Sequence, residues 1–346
     1  GTQTLRGDYL VAADGGRSSV RKLLGIGFPG TDATVSAMIA DVKLDDPPDH
    51  PMFGERRGNG NFAVLPFFEP GMHRVITTRP TDANDRKKPA TFAELRETFT
   101  AIAGTDYRMH SPTWVSRFND AARLVERYRH GRVFLAGDAA HIHYPAGGQG
   151  LNTGVQDAVN LGWKLAAVLN GHSDDALLDT YHAERHPVAE RVLNNTRAQT
   201  TLGRPGPHVD ALRDIVTDLV TIPEVNDRLG HMITALDIRY AIGDAHPLIG
   251  RRVPDADLDD GTRVFTHLRA ARPVLLALRG DLPVDNLAEG TRIDLVRAQP
   301  VHDRWGVPGL GAIDAPAGVL IRPDGHVAWA GETVDAELKE ALETWC

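Results

Sequence analysis

Cysteine is all but missing: the chain of 346 residues has one, Cys346. A single thiol excludes internal disulfides and every metal site built on thiolates, and it fits a reducing cytoplasm. Long hydrophobic runs are missing too, none approaching the roughly eighteen residues of a membrane-spanning helix. No signal peptide opens the chain, so it reads as soluble. There is no basic excess either. Lys and Arg number 38 against 46 Asp and Glu, a formal charge of −8, which argues against nucleic acid as the main partner. What is present is ordinary for a soluble globular protein, with 42% hydrophobic and 24% charged residues, and the length allows two or three domains with a sizeable core.

The most informative stretch runs from Arg132 to Asn170. Val133, Phe134, Leu135 and Ala136 form a short apolar run ended by Gly137-Asp138, the pattern of a parallel strand. From Leu151 to Leu169 apolar residues recur at helical spacing, and Gly171 follows as a stop. Between them lies Pro145-Ala146-Gly147-Gly148-Gln149-Gly150. Three residues without a Cβ ahead of a helix let a flat or anionic partner approach backbone N–H groups closely, at the positive end of the helix dipole. Asp138 accepts hydrogen bonds from hydroxyls and repels phosphate, which suits a ribose or sugar alcohol. Nearer the start, Asp14-Gly15-Gly16-Arg17-Ser18-Ser19-Val20-Arg21 reads as a turn into a short helix, with Ser18 or Ser19 as cap and Gly25 as stop.

Taken whole, the string from Gly137 to Asn152 resembles the second flavin motif of the class A flavoprotein monooxygenases, the aromatic hydroxylases of the p-hydroxybenzoate hydroxylase type. The resemblance implies that Asp138 holds the ribityl and ribose region of FAD. It implies that Pro145, Gly147, Gly148, Gly150, Leu151 and Asn152 lie beside the isoalloxazine, with the last two N–H groups aimed at its pyrimidine edge. The DG string is similar to the family motif that places Asp14 and Arg21 near the FAD pyrophosphate and the path of NAD(P)H. Ala176 to Val188 resembles the Y-x-x-E-R-x-P helix, where Glu184 and Arg185 are expected to fix the helix against the FAD domain. Family members open with a βαβ unit bearing G-x-G-x-x-G, and none precedes Asp14. The chain therefore resembles a member lacking the first part of its FAD domain.

The remaining texture divides the chain. Residues 31–125 alternate short apolar runs with polar turns, as in a mostly antiparallel sheet interrupted by one helix from Phe92 to Ala103. In the resemblance this is the substrate domain, with Phe62, Phe67, Trp114 and Phe118 as aromatic candidates for the pocket wall. Residues 201–245 read as a helical connection broken at Arg204-Pro205-Gly206-Pro207. Residues 246–346 show buried strands, a hairpin around Asp324-Gly325 and a closing helix. This part resembles the thioredoxin-like tail of polyketide and phenol hydroxylases, and without C-x-x-C it keeps a packing or subunit-contact role, compatible with a homodimer.

The expected architecture is mixed α/β and α+β. A partial Rossmann-like FAD domain (1–30 and 126–200) carries an inserted sheet domain and a thioredoxin-like domain. His141-x-His143 lacks a third ligand at useful spacing, so no metal is expected. The resemblance implies an FAD-dependent monooxygenase that uses NAD(P)H and O2, through a C4a-hydroperoxyflavin, to hydroxylate a small aromatic substrate, a polycyclic polyketide or phenol. The hard step then belongs to the cofactor, and no side chain is assigned as acid or base. The alternative is an inactive binding or assembly module of the same fold.

Overall fold

Two short strands and a turn set the frame around which the rest is hung. The computed structural model describes residues 3–50, 52–80, 88–288 and 292–346. Strand β1 (Leu10–Ala12) leads into helix α1 (Ser19–Leu23), whose N-terminus is capped by the Ser18 hydroxyl. After β2 (Gly30–Thr31) come β3 (Val35–Leu44), β4 (Phe53–Arg57), β5 (Gly60–Pro66), β6 (Met72–Pro80), helix α2 (Phe92–Ala103) and β7 (Met109–Asn119). Five of these strands form one antiparallel sheet in the order β4-β5-β6-β3-β7. Alternation decides its faces: Phe62 and Val64 point toward α2, where they pack on Leu95, Phe99 and Ile102, while Asn61 and Ala63 face the other way. Helix α2 begins and ends where its residues dictate, with the Thr91 hydroxyl accepting from the Glu94 N–H and Gly104 in the left-handed region at φ 83°.

The chain then returns through β8 (Ala122–Leu124), β9 (Arg129–His130) and β10 (Val133–Leu135), and β10 runs parallel to β1. After β11 (His141–Ile142) come two long helices, α3 (Gln149–Leu169) and α4 (Asp179–Leu202). Helices α5 (Pro207–Val220) and α6 (Pro223–Thr234) follow the break at Arg204-Pro205-Gly206. The last part is a mixed sheet in which β12 (Val274–Ala277) pairs parallel with β13 (Asp294–Arg297). A separate hairpin comprises β14 (Arg304–Val307) and β15 (Gly311–Asp314), and β16 (Gly318–Ile321) and β17 (Val327–Gly331) complete the sheet in the order β13-β12-β16-β17. Helix Ala336–Trp345 packs on one face through Leu338, Ala341 and Trp345, beside the buried Trp329. This is the mixed architecture that the sequence implied.

Helix α3 is turned the opposite way from an ordinary amphipathic helix. Its buried residues are Gln149, Thr153, Asp157, Asn160, Leu161 and Lys164, while Leu151, Val155, Val159 and Leu169 are at least half exposed. Burial of so many polar groups is tolerable only when each finds a partner. Glu184 accepts from Lys164 Nζ at 2.9 Å, from Asn160 Nδ2 at 2.6 Å and from both Arg322 Nη groups at 2.8 Å. Asp324 also pairs with Arg322 and accepts from the Trp163 indole at 3.2 Å. Arg322 lies 138 positions from Glu184 and bolts the C-terminal sheet onto the α3–α4 pair. Glu184 thus fixes its helix as the Y-x-x-E-R-x-P resemblance implied, although its main partner belongs to another part of the chain.

Two outcomes follow from this cluster. Arg322→Met leaves Glu184 with Lys164 as its remaining cation and takes the guanidinium from Asp324, and breaking a buried pair in this way costs about 3–5 kcal/mol, to be read by urea unfolding; a loss below about 1 kcal/mol would contradict the assignment. Burial also pushes the Lys164 ammonium down to about 8. From about 8 up to the ordinary lysine range, the unfolded chain keeps a proton that the folded chain has released, so the Lys164 contribution to stability grows as pH rises and is lost as pH falls. Subtracting the Lys164→Met stability curve from that of the unmodified chain should show this rise, and a flat difference would exclude it.

Candidate active site

The site is built on the turn after β10. Gly137 adopts a left-handed φ of 56°, and a Cβ at Gly154 would stand 3.3 Å from the Gly137 Cα, so α3 presses directly on the turn. Asp157, one turn further along α3 and fully buried, accepts the Gly137 N–H at 3.1 Å. The same carboxylate accepts from His141 Nε2 at 2.7 Å and from Arg185 Nε at 2.8 Å. Burial acts to raise its pKa, but the His141 hydrogen bond and the Arg185 guanidinium outweigh that and hold it below the usual carboxylate range. Arg185 is completed by the Thr153 carbonyl and the Tyr240 hydroxyl, both at 3.2 Å. The result is a fixed turn from which Asp138 projects, exposed and with no hydrogen-bond partner among the described residues.

The other motif docks on this turn. Arg21 is buried and donates to the carbonyls of Ala139 at 2.9 Å and Gly16 at 2.8 Å, with its guanidinium 3.8 Å over the Phe28 ring. Asp14 accepts from the N–H groups of Ser19 at 2.7 Å and Val20 at 3.2 Å, so it caps α1. The resemblance places Arg21 near the FAD pyrophosphate; in the structure its Nη donors tie the two turns together.

The glycine loop stands at the open end of α3. Gly147 and Gly148 have φ of 71° and 67°, and no side chain caps the helix, leaving the first-turn N–H groups without intrahelical partners. A Cβ at Gly148 would meet nothing within 4 Å, and Leu151 is 81% exposed. Open space, bare backbone donors and the positive helix end form a cradle that fits the electron-rich edge of a flavin, with the unpaired Asp138 on the adjoining turn. Gln149, by contrast, is only 4% exposed, and neither its amide oxygen nor its nitrogen has a partner.

Beside the loop lies a cavity of about 370 Å³, walled by Thr34, Asn61, Thr78, Tyr144, Gln199 and Thr200 among others. The Tyr144 hydroxyl meets the Thr78 hydroxyl at 3.0 Å, and burial raises its pKa, so it stays protonated. Asn61 donates to the Gly203 carbonyl at 3.1 Å, while its buried side-chain oxygen has no partner. None of the four aromatic residues singled out by sequence lines this space. Phe62 is core against α2, Phe67 and Trp114 flank Arg74, and Phe118 reaches the cavity only through Tyr144, at 5.5 Å between rings. Strand parity was the available signal. Asn61 and Thr78 are a cross-strand pair on the face opposite α2, whereas Phe62 alternates inward. Tyr144 does line the cavity, from the loop between His143 and Pro145, where no strand pattern marks it.

Comparison with known proteins agrees with this geometry. The FAD binding domain model matches residues 1–196, and the C-terminal model of aromatic-ring hydroxylases matches 246–346. The chain is 48% identical to a 12-dehydrotetracycline 5-monooxygenase/anhydrotetracycline 6-monooxygenase of Streptomyces rimosus, over 97% of this chain and 69% of the relative. A rifampicin monooxygenase of Streptomyces venezuelae is 44% identical over 99% of this chain and 69% of its own length. The solved OxyS anhydrotetracycline hydroxylase of Streptomyces rimosus superposes with a TM-score of 0.87 at 47% identity, covering 97% of this chain and 68% of that one. Relatives of this kind, named for oxygenation, favour an enzyme over a binding module. With both of its motif-bearing regions matched, the chain belongs to the FAD-dependent aromatic-ring hydroxylases, the class A flavoprotein monooxygenases.

Proposed function

We propose that the chain takes its electrons from NAD(P)H and directs oxygen from O2 into a phenolic polyketide held in the cavity beside the glycine loop. The observation that carries this reading is the contact of that cavity, through Tyr144 and Ala146, with the loop that opens α3. The relatives named for anhydrotetracycline and rifampicin support a large oxygenated substrate. We assign residues 1–30 and 126–200 to FAD binding, 31–125 to substrate, 201–245 to a connection and 246–346 to a thioredoxin-like unit. We further expect a cytoplasmic protein, with the last unit available for a homodimer contact.

In this reading Asp138 accepts from ribityl or ribose hydroxyls, and the loop from Pro145 through Gly147, Gly148 and Gly150 to Leu151 and Asn152 lines the flavin ring edge. Arg21 acts by holding the DG and GD turns together, and Asp14 by ordering α1. Bound FAD would supply the activation of oxygen and its transfer to the ring. The protein's own task is placement. Tyr144 and Thr78 offer hydroxyls and Asn61 an acceptor, Arg79 and Arg204 also stand in the wall, and among the described residues no carboxylate lines it to serve as a base. Hydroxyl, amide and guanidinium groups together suit a substrate bearing phenol and carbonyl oxygens, and water exclusion favours productive transfer.

Two variants test these assignments. Gly148→Val strains a left-handed position and fills the open space at the helix end, so FAD affinity in an absorbance titration should fall at least about tenfold with the unfolding midpoint little changed. Unchanged affinity would remove the loop from the cofactor site. Tyr144→Phe removes one hydroxyl and strands another, which at about 1–3 kcal/mol should raise KM by roughly tenfold and move kcat less, in NADPH- or NADH-driven O2 uptake with a phenolic polyketide. An unaltered KM would place the substrate elsewhere.

A further inference from the structure

A second cavity, of about 430 Å³, lies in the C-terminal part of the chain and shares no lining residue with the one beside the glycine loop. It opens between the segment 251–257, Phe265 and the start of the β14–β15 hairpin. Its wall combines guanidinium groups with aromatic faces: Arg251, Arg252 and Arg304 stand around Trp305 and Phe265. Such a combination is the usual way to hold a flat anion, because a guanidinium both pairs with a carboxylate and lies against a ring.

The charge is cancelled only in part: Arg304 pairs with Asp314 at 3.4 Å and donates to the Ala312 carbonyl at 2.7 Å. The two acids of the wall, Asp255 and Asp257, are both taken by Arg263, at 2.9 and 3.1 Å. Arg252 makes no side-chain hydrogen bond or ion pair among the described residues. Among the described residues the Arg251 side chain reaches only the Asp237 carbonyl, at 3.4 Å, and its buried Nε has no acceptor; Asp237 itself is held by Arg191 at 2.9 Å. Trp305 is 2% exposed, and its buried indole N–H also has no partner among the described residues. Donors left unpaired in a folded protein carry a cost that a bound acceptor relieves. Leu236 and Phe265, meanwhile, leave 42% and 38% of their surfaces to solvent at the same cavity. Unpaired donors, the uncompensated Arg252 cation and exposed apolar walls occur together at one place.

We propose that this cavity is a binding site for an aromatic carboxylate, separate from the hydroxylation site. Arg251 and Arg252 pair with the carboxylate, the Trp305 N–H supplies a further donor, and Phe265 and Leu236 cover the ring. Naphthoate is a suitable probe for the full-length chain, followed by calorimetry, with naphthamide as a neutral analogue of the same shape. Expected are binding of naphthoate at least about tenfold tighter than naphthamide, and a loss of about tenfold in Arg252→Gln, which removes the cation, and in Trp305→Phe, which removes the indole donor. Arg252 is exposed, so its substitution does not endanger the fold. Tyr144→Phe, in the other cavity, should leave naphthoate binding unchanged. Equal affinity for the two probes, unaltered binding in Arg252→Gln, or weakening by Tyr144→Phe would each overturn the proposal. So would inorganic phosphate that displaces naphthoate at a comparable concentration, since that identifies a plain anion site with no use for the aromatic wall.

Discussion

Everything in the flavin half of this chain is referred to one buried carboxylate. Asp157 receives the backbone N–H of Gly137, the ring of His141 and the guanidinium of Arg185, which belong to a turn, a strand and a neighbouring helix. A carboxylate has room for several such donors and pays heavily for leaving water without them, so its position is fixed once they are in place. The turn that presents Asp138 inherits that fixity, and the bare helix end is held alongside it. Because Arg21 clasps the same turn from the other side, the two motif strings, over a hundred residues apart in sequence, form one rigid platform.

The same logic explains why α3 buries its polar side. An apolar helix face is interchangeable, since any neighbour of suitable shape satisfies it, whereas a face bearing Asp157, Asn160 and Lys164 accepts one arrangement of partners. Burial raises the Glu184 carboxyl, but Arg322 more than offsets it, and the Glu184 pKa lies below the ordinary value. Directional contacts of this kind set the register of α3 against α4 and of both against the C-terminal sheet. Placement of the glycine loop relative to the cavity is therefore decided several turns away from it.

Much of this organisation is legible in the residues. Helix Phe92–Ala103 is bounded by Thr91 and Gly104, and Asp324-Gly325 turns one strand of the last sheet into the next, each through local chemistry that needs no tertiary knowledge. The glycine loop and its helix were equally plain, although the helix begins at Gln149, two residues ahead of its first apolar position. What periodicity does not reveal is which face of α3 goes inward, because Glu184 and Arg322 meet from 138 positions apart and no local pattern records that. The aromatic candidates lie off the cavity beside the glycine loop for a simpler reason. Side chains on a strand alternate, and the parity of Phe62, which its residue type does not convey, sends it toward α2.

The tight turn at Asp324-Gly325 has an implication for how such proteins exchange parts. It delivers Arg322 and Asp324 together, as one preassembled and nearly neutral plug, into the socket made by Glu184 and Lys164. A tail transplanted from a cousin with another charge pattern at this plug would arrive as a misfit. A chimaera of two such chains therefore has to carry plug and socket over as a unit.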